Sequence, residues 1–354
     1  MSVLPEAGER LDSVGMWALT TALPEQVEVA AGSLDGIDGL PGPGDLDAVV
    51  VLGMGGSGVA GDVLAAVAAP SSPVPVVVAK GYECPAFAGP RTLVLASSFS
   101  GNTEETVAST SAAKAAGARI VVQSSGGRLA ELAATWGAPW LPLPADIPMP
   151  RAAIGALAVP PLLVLERAGL LPGASDAVAT ATAQLRKRRD QLAGGGGVAR
   201  DVARAIGRTF PLVYGGGPIG AAAATRWKNQ VNENAKAPAF ANSYPELCHN
   251  EVCGWGQHGD VTRQALTLVH LRHDFEHPQV GRRVDIVREL VDEVVASVQE
   301  VRAEGDGSLA QLLDLVLVGD LASLHLAYDA GIDPGPVPVL DEIKQRLGAP
   351  EAQG

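Results

Sequence analysis

The N-terminal half of the chain alternates short apolar strands with helices. Residues 47–53, DAVVVLG, form a β-branched run that ends in glycine and is followed by the helix-like GVAGDVLAAVAA. The same order returns in PVPVVVAKG, in RTLVLASSFSGN with TEETVASTSAAKAAG, and in ARIVVQSSGG with RLAELAATWG. These strands do not alternate polar with apolar residues, as expected for strands that are buried on both faces. The pattern predicts an α/β fold whose first half is a doubly wound parallel sheet.

The second half is predicted to resume this plan after an irregular connection. Residues 141–173 are rich in proline, which breaks strand ladders and helices, so they predict a crossover and no simple β-α unit. After the glycine run 194–197, FPLVYGG, QALTLVHL and LDLVLVG predict strands, while DVARAIG, the segment through RWKNQVNENAK, ASLHLAYDAG and VLDEIKQRLG predict helices. We expect three parts: an α/β half at 1–150, crossover helices at 151–194, and a second α/β half with a C-terminal helix at 195–354.

Composition and charge exclude some partners. The 354 residues carry a net charge of −13, which argues against binding to nucleic acid or to an anionic membrane, since both need a cationic surface. The longest apolar run, residues 152–165, contains Pro160 and Pro161 and is shorter than the roughly 20 residues of a membrane helix. No secretory signal is visible at the start, and three cysteines are too few for a disulfide framework. We therefore expect a cytoplasmic protein with reduced thiols.

The glycine-rich turn GMGGSG, residues 53–58, lies between a predicted strand and a predicted helix. Glycines there let the backbone approach a ligand, and the start of the helix offers free amides. Gly53, Gly55 and Gly58 have the spacing of a dinucleotide-binding turn, which also needs an acidic residue at the end of the next strand. That strand ends in AKGYE, with the lysine first. Alone, this turn fits a dinucleotide, a sugar phosphate or a structural role.

The second turn, SSFSGNTEE at residues 97–105, is rich in hydroxyl groups. Ser98, Ser100 and Thr103 come where a strand passes into a helix, so hydroxyls and free amides converge on a place the size of one anion. The alternative is a helix cap, with Glu104 and Glu105 complementing the helix dipole. Three hydroxyls exceed what a cap needs, which favours a phosphate site.

A third cluster lies in RWKNQVNENAKAPAFANSYPELCHNEVCGW, with charged residues at Glu233, Lys236, Glu246, His249 and Glu251. Moving a proton between adjacent sugar carbons needs a carboxylate base, a group that opens the ring, and a cation that stabilises the enediolate. Glu233, His249 and an arginine could fill these roles. The alternative is an exposed helical pair of Glu233 and Lys236, with His249 as a capping residue.

Two groups of cysteine and histidine are not expected to bind metal. The spacing of Cys248, His249, Cys253 and His258 is unusual for zinc, and the segment HLRHDFEH at 270–277 suits a solvated loop.

Five motifs together resemble the bifunctional phosphoglucose/phosphomannose isomerases of the sugar isomerase (SIS) superfamily. They are GMGGSGVAGD, SSFSGNTEET, PRAA, RWKNQVNENAK and ELCHNE, in that order, and the resemblance runs from about Gly53 to the final helix. It implies two SIS-type doubly wound parallel-sheet subdomains. It also implies interconversion of fructose 6-phosphate with glucose 6-phosphate, mannose 6-phosphate or both, through a cis-enediolate and without metal or cofactor.

The resemblance also implies roles for particular residues. Arg151 of PRAA would stabilise the enediolate, and Glu233 of NENAK would be the base that moves the proton. His249 of CHNE, reaching in from the second subunit of a homodimer, and Lys344 of the C-terminal helix would assist ring opening. The two turns would hold the 6-phosphate of the substrate at Gly55, Gly56, Ser57, Ser98, Ser100 and Thr103.

Two alternatives remain open from the sequence. A SIS module can bind a sugar phosphate as a regulator without converting it, in which case it keeps both turns and dispenses with the base. An SIS isomerase of another sugar phosphate, such as an amino or heptose sugar, would bind its substrate at the same turns.

Overall fold

The computed structural model describes residues 11–42, 44–194 and 196–348. Its first sheet has five parallel strands in the order β2-β1-β3-β4-β5. Their bounds are β1 Ala48–Leu52, β2 Val76–Ala79, β3 Thr92–Ser97, β4 Arg119–Ser124 and β5 Trp140–Pro142. The predicted parallel α/β first half is confirmed.

Helices cover both faces of this sheet. Helix α3 (Gly55–Ala68) packs on one face, and α4 (Glu104–Ala115) and α5 (Gly127–Trp136) pack on the other. The chain therefore leaves β1 and β3 toward opposite faces, which makes the gap between these two strands the switch point of the sheet. Ligands of doubly wound folds bind at the carboxyl ends of the strands at such a point.

The second sheet has four parallel strands in the order β7-β6-β8-β9. They are β6 Phe210–Gly216, β7 Phe240–Tyr244, β8 Leu266–Arg272 and β9 Ser297–Arg302. Helix α8 (Val198–Ile206) precedes β6, and α9 (Gly217–Gln230) runs back along the sheet and ends in a π-helical turn, Val231–Ala235. Helices α10 (Gly259–Ala265) and α11 (Pro278–Val291) follow later in the chain. The sequence reading had no element for β7, β9 or α11.

The proline-rich connection is more regular than expected. It starts with β5 and continues through a 3₁₀ turn, Pro150–Ala152, into helix α6 (Ile154–Arg167), which contains both Pro160 and Pro161. Proline at 160 removes the hydrogen bond to the carbonyl of Ala156, and that carbonyl instead accepts from Gln123 Nε2 at 3.0 Å. Crossover helices were expected from residue 151 on, but the argument that prolines break a helix in residues 141–173 does not hold for α6, because a side chain satisfies the carbonyl that Pro160 frees. Helix α7 (Ala174–Leu192) follows as predicted; the boundaries 1–150, 151–194 and 195–354 stay a prediction.

The segment LDLVLVG is not a strand. It lies inside α12 (Ser308–Asp329), which packs against α7, α8 and α9, so apolar residues occur on all its faces. An apolar run without a polar face has no period that separates strand from helix, which explains the error. Helix α12 has the length and hydropathy of a membrane span, but its apolar window is entirely buried inside the protein. It is the central core helix of this fold.

The remaining helices are α1 (Met16–Thr21), α2 (Leu23–Ala31) and the C-terminal α13 (Pro338–Gly348), the last as predicted. Segment 270–277 is not a solvated loop throughout. Residues 270–272 belong to β8, and both His270 and His273 are buried.

Gly319 lets α12 approach the indole of Trp227, which is 1% exposed and donates from Nε1 to the carbonyl of Leu315. A Cβ at position 319 would lie 2.3 Å from that Nε1. Alanine favours a helix interior over glycine by about 1 kcal/mol, whereas overpacking a core costs about 1–3 kcal/mol. We expect Gly319→Ala to lower the unfolding free energy in urea. Gly281→Ala in α11, which meets only the end of Arg272 at 3.2 Å, is the control; equal stability of both variants would contradict this account.

Candidate active site

Two helix starts lie side by side at the carboxyl edge of the first sheet. Helix α3 begins at Gly55, three residues after β1 ends, and α4 begins at Glu104 after β3. The turns touch, since a Cβ at Gly53 would lie 2.8 Å from the carbonyl oxygen of Ser97. Neither helix start is capped by a side chain. Their first-turn amides are therefore free of side-chain acceptors within the described structure and can face an anion.

The hydroxyls of the second turn bond to one another and not to the helix. Ser98 Oγ and Thr103 Oγ1 are 2.8 Å apart, and Ser98 Oγ accepts from the amide of Gly101 at 3.1 Å. Thr103 occupies the N-cap position of α4 without a cap hydrogen bond. Ser98 is buried and Thr103 half-buried, whereas Ser100 is exposed and its Oγ accepts from the amide of Asn102. The geometry does not match the cap alternative for Thr103.

The first turn packs directly against the turn that carries Arg151. A Cβ at Gly56 would lie 3.0 Å from the carbonyl oxygen of Pro150, so glycine permits this close approach. Ser57, the next residue, is buried at the start of α3. Lys80, just after β2, pairs with Asp62 at 2.5 Å, so a lysine stands where a dinucleotide site would place its acid.

Arg151 is 4% exposed, and its hydrogen bonds tie the two halves of the fold together. Its Nε donates to Asn234 Oδ1 at 2.9 Å, and its Nη2 donates to the carbonyl oxygens of Pro334, at 2.7 Å, and Gly335. A guanidinium has five N–H donors, so both hydrogens of Nη1 remain. The Glu233 carboxylate lies 3.7 Å from this Nη1. Burial lowers the pKa of Arg151, while Glu233 opposes that shift; an arginine so placed still carries its charge.

Glu233 lies in the π-helical turn at the end of α9, and its side chain is 29% exposed. π-Helical turns are rare and are frequent at functional sites. Lys236, which has φ 56°, donates from Nζ to the backbone carbonyl of Glu233 and to that of Pro334. The alternative of an exposed helical ion pair is therefore wrong, because the carboxylate faces Arg151 and the lysine bonds to carbonyls. Burial, with a further contribution from Arg151, lowers the pKa of Lys236.

A second arginine supports the first. Arg226 on α9 is fully buried, pairs with Asp320 of α12 through two hydrogen bonds of 3.0 and 2.7 Å, and donates to the carbonyl of Arg151. Asn234 Nδ2 donates to Ser323 Oγ at 2.9 Å, and this hydroxyl donates to the carbonyl of Asp320. The sequence reading missed these supporting residues. Arg226 and Asn234 lie inside the motif RWKNQVNENAK, and Asp320 is a rare charge in an apolar run.

His249 and Lys344 do not join this cluster within one chain. His249 is exposed in a 3₁₀ turn, Glu246–His249, that follows the carboxyl end of β7. Glu233 precedes β7, at the opposite edge of the second sheet. Lys344 is exposed on α13. Among the described residues, no hydrogen bond or ion pair links either side chain to Arg151 or Glu233.

No group of three or more potential metal ligands is found within residues 11–42, 44–194 and 196–348. Cys84, Cys248 and Cys253 are free thiols. The site is thus built from two helix starts, a hydroxyl turn, a buried guanidinium and a carboxylate. It can hold an anion beside a cation and a base.

Comparison with known proteins shows to which family the chain belongs. Residues 197–347 match the model of the bacterial phospho-glucose isomerase C-terminal SIS domain. A bifunctional phosphoglucose/phosphomannose isomerase of Caldicellulosiruptor bescii is 34% identical, covering 92% of this chain and 96% of the relative. A D-glucosamine-6-phosphate 4-epimerase of Sulfolobus acidocaldarius is 28% identical, covering 87% and 91%.

A solved structure confirms the fold. The C-terminal domain of glucosamine-fructose-6-phosphate aminotransferase from Francisella tularensis superposes with a TM-score of 0.67 at 14% identity, covering 90% of this chain and 97% of that one. At this identity the likeness concerns the fold alone. Together with the identity to the curated isomerase over nearly its whole length, these findings make the chain a member of the bifunctional phosphoglucose/phosphomannose isomerase family.

Proposed function

We propose that this protein is an aldose-ketose isomerase that interconverts fructose 6-phosphate with glucose 6-phosphate, mannose 6-phosphate or both. The observation that carries the proposal is the buried Arg151, whose Nη1 is directed at the Glu233 carboxylate beside two uncapped helix starts. Membership in an enzyme family of that name supports it. Among the described residues, a carboxylate, a guanidinium and two uncapped helix starts thus lie at one edge of the first sheet, as the proposal requires.

The 6-phosphate would bind between the two helix starts. The amides near Gly55, Gly56 and Ser57 would meet one side of the phosphate, and the hydroxyls of Ser98, Ser100 and Thr103 would meet the other. Both helix dipoles place partial positive charge there. An overall acidic protein can hold a single phosphate in this way without a basic patch.

Glu233 would remove the proton from C2 of the aldose and return it to C1. The electron pair left at C2 forms the enediolate double bond, and negative charge develops on the oxygen of the former C1 carbonyl. When C1 takes the proton back, the C2 hydroxyl loses its proton to the former C1 oxygen, so that C2 becomes the ketose carbonyl and C1 the alcohol. Arg151 Nη1 would stabilise that oxygen, because its other donors already bind Asn234 and two backbone carbonyls. A preorganised, buried guanidinium needs little reorganisation as the charge forms.

His249 and Lys344 would assist ring opening, with His249 supplied by the second subunit of a homodimer. The opposite positions of Glu233 and His249 along the second sheet support this arrangement, since a second chain can place His249 where its own chain does not. Lys344, exposed on α13, would have to approach the site as that helix docks. We propose the cytoplasm as the location, where thiols stay reduced.

A second candidate is conversion of another sugar phosphate. The 4-epimerase of Sulfolobus acidocaldarius matches most of this chain at 28% identity, so relatives of this length differ in reaction. In a third alternative, the protein is a regulator that binds sugar phosphate without converting it, and Glu233 would then have no catalytic role.

Replacing the base should abolish turnover without abolishing binding. We expect Glu233→Gln to lower kcat by about 10²–10⁴-fold, the usual contribution of a general base. The measurement is a coupled assay on chelator-treated protein, with fructose 6-phosphate as substrate and both aldose products quantified. Glu28→Gln, an exposed carboxylate on α2, is the control. A wild type that binds fructose 6-phosphate without turnover would support the regulator, and epimerisation at C4 of glucosamine 6-phosphate would support the second candidate.

Removing a hydroxyl of the second turn should weaken substrate binding. Thr103→Val keeps the shape of the side chain but removes the hydroxyl, and a hydrogen bond to a charged group is worth about 1.5–3 kcal/mol. We expect KM to rise by about 10- to 100-fold for hexose 6-phosphates, with kcat changing far less. Ser111→Ala, on the exposed face of α4, should leave KM unchanged. An unaltered KM in Thr103→Val would exclude a phosphate contact at this residue.

Mixing two weakly active variants tests the sharing of His249. Glu233→Gln and His249→Asn are each expected to lower kcat of the homodimer by about 10²–10⁴-fold, which leaves a small but measurable turnover. If sites are shared, a heterodimer contains one site with both residues intact, and randomly mixed subunits should regain up to about a quarter of wild-type kcat. The mixture is assayed after unfolding and refolding together. Activity that stays at the level of the separate variants would place both residues in one chain or show that no dimer forms.

A further inference from the structure

Glu251 fastens the segment that carries His249 to the second sheet. The segment, residues 246–254, consists of two short 3₁₀ turns, Glu246–His249 and Glu251–Gly254. One carboxylate oxygen of Glu251 accepts from the hydroxyl of Tyr214 on β6, and the other accepts from Asn242 Nδ2 on β7. The two turns are thus joined to both neighbouring strands through a single side chain.

The other hydrogen bonds of this segment are local. Its backbone amides at Cys248, Asn250 and Cys253 each donate to a carbonyl three residues earlier, and Asn250 Nδ2 donates to Glu246 Oε1 at 2.8 Å. None of these bonds reaches a strand. Leu247 is fully buried and anchors the first turn by apolar packing, which is not directional. Within the described residues, only Glu251 gives this segment hydrogen bonds to the sheet.

Within residues 11–42, 44–194 and 196–348, no side-chain hydrogen bond, ion pair or ring contact orients His249. It is exposed two residues before Glu251, so its place is set by the backbone of the segment. Tyr214 is buried, and burial together with its bond to Glu251 raises the pKa of the phenol. Tyr214 therefore stays protonated at neutral pH and can donate to the carboxylate there.

We propose that Glu251 is a positioning residue that holds His249 in the place from which it acts, through its paired bonds to Tyr214 and Asn242. This rests on the proposed function, since it assigns His249 a task in catalysis. Glu251 does not touch the Arg151 and Glu233 cluster, so its effect must pass through the segment 246–254.

Kinetics of Glu251→Gln and Tyr214→Phe test the proposal. Each substitution keeps the size of the side chain while weakening the carboxylate bonds. We expect kcat to fall by about 10- to 100-fold with KM changing little, since small misplacement of a catalytic group has this cost. In a His249→Asn background, Glu251→Gln should cause almost no further loss. Losses that multiply would show that Glu251 does not act through His249 and would overturn the proposal.

Glu246→Gln is the matched control. It removes a carboxylate of the same charge from the same segment, but one whose side chain bonds only to Asn250 within the part of the chain that the structure describes. We expect its kcat to stay within about twofold of wild type, as is usual for a surface change away from such contacts. An equal loss in Glu246→Gln and Glu251→Gln would point to a general effect of charge and would also overturn the proposal.

Amide hydrogen exchange gives a readout that needs no turnover. Glu251→Gln should speed exchange in residues 246–254 while leaving the starts of α3 and α4 unchanged. If the wild type lacks isomerase activity, the proposed function fails. Hydrogen exchange still tests whether Glu251 holds residues 246–254 to the second sheet. Unchanged exchange in the segment would overturn the proposal even if the enzyme is active.

Discussion

The burial of the Arg151 charge is the constraint on which the site depends. A guanidinium that is 4% exposed is costly unless its donors are satisfied, and here three of its five N–H donors bind groups that are distant in sequence. Asn234 comes from the end of α9, and the carbonyls of Pro334 and Gly335 come from the chain just before α13. The same bonds that make the charge tolerable bring Glu233 to it. The burial of Arg151 and its approach to Glu233 thus depend on the same contacts.

Two residues of the core helix α12 support the Arg151 site from the interior of the protein. Asp320 and Ser323 lie one turn apart on this helix and face the same way. Asp320 pairs with Arg226, which donates to the backbone carbonyl of Arg151. Ser323 accepts from the side chain of Asn234, and the oxygen of that side chain accepts from the Arg151 guanidinium. Burial raises the pKa of Asp320, and the Arg226 charge opposes that shift. A buried ion pair of this kind adds little net stability, so its value lies in fixing one geometry for Arg151.

Features encoded by neighbouring residues could be predicted from the sequence, whereas features that depend on contacts between distant residues could not. The strand, turn and helix order of the first half is encoded within short segments, and the structure confirms it. Both turns at the carboxyl edge of the first sheet are encoded in the same way, and their role in binding an anion stays a prediction. The C-terminal part of α12 was predicted as a helix from ASLHLAYDAG, but LDLVLVG was predicted as a strand because a helix buried on every side has no polar face. The supporting roles of Asp320 and Ser323 depend on contacts with Arg226 and Asn234, which are distant in sequence. The helical Pro160 was missed because Gln123, which satisfies the freed carbonyl, lies 33 residues from Ala156. Which arginine meets Glu233 came from resemblance, since no local pattern encodes it.

The two ends of the β6-α9-β7 unit carry different candidate site residues. The helix carries Glu233 and Asn234 to one edge of the second sheet, against the first half, while β7 delivers residues 246–254 to the other edge. A parallel βαβ unit imposes this separation, because its helix runs opposite to its strands. Under the proposed function, a residue after β7 would therefore serve the site at the end of α9 from another copy of the chain. The hydrogen bonds of Glu251 to β6 and β7 would then hold residues 246–254 as firmly as the hydrogen bonds of Arg151 hold the site at the end of α9.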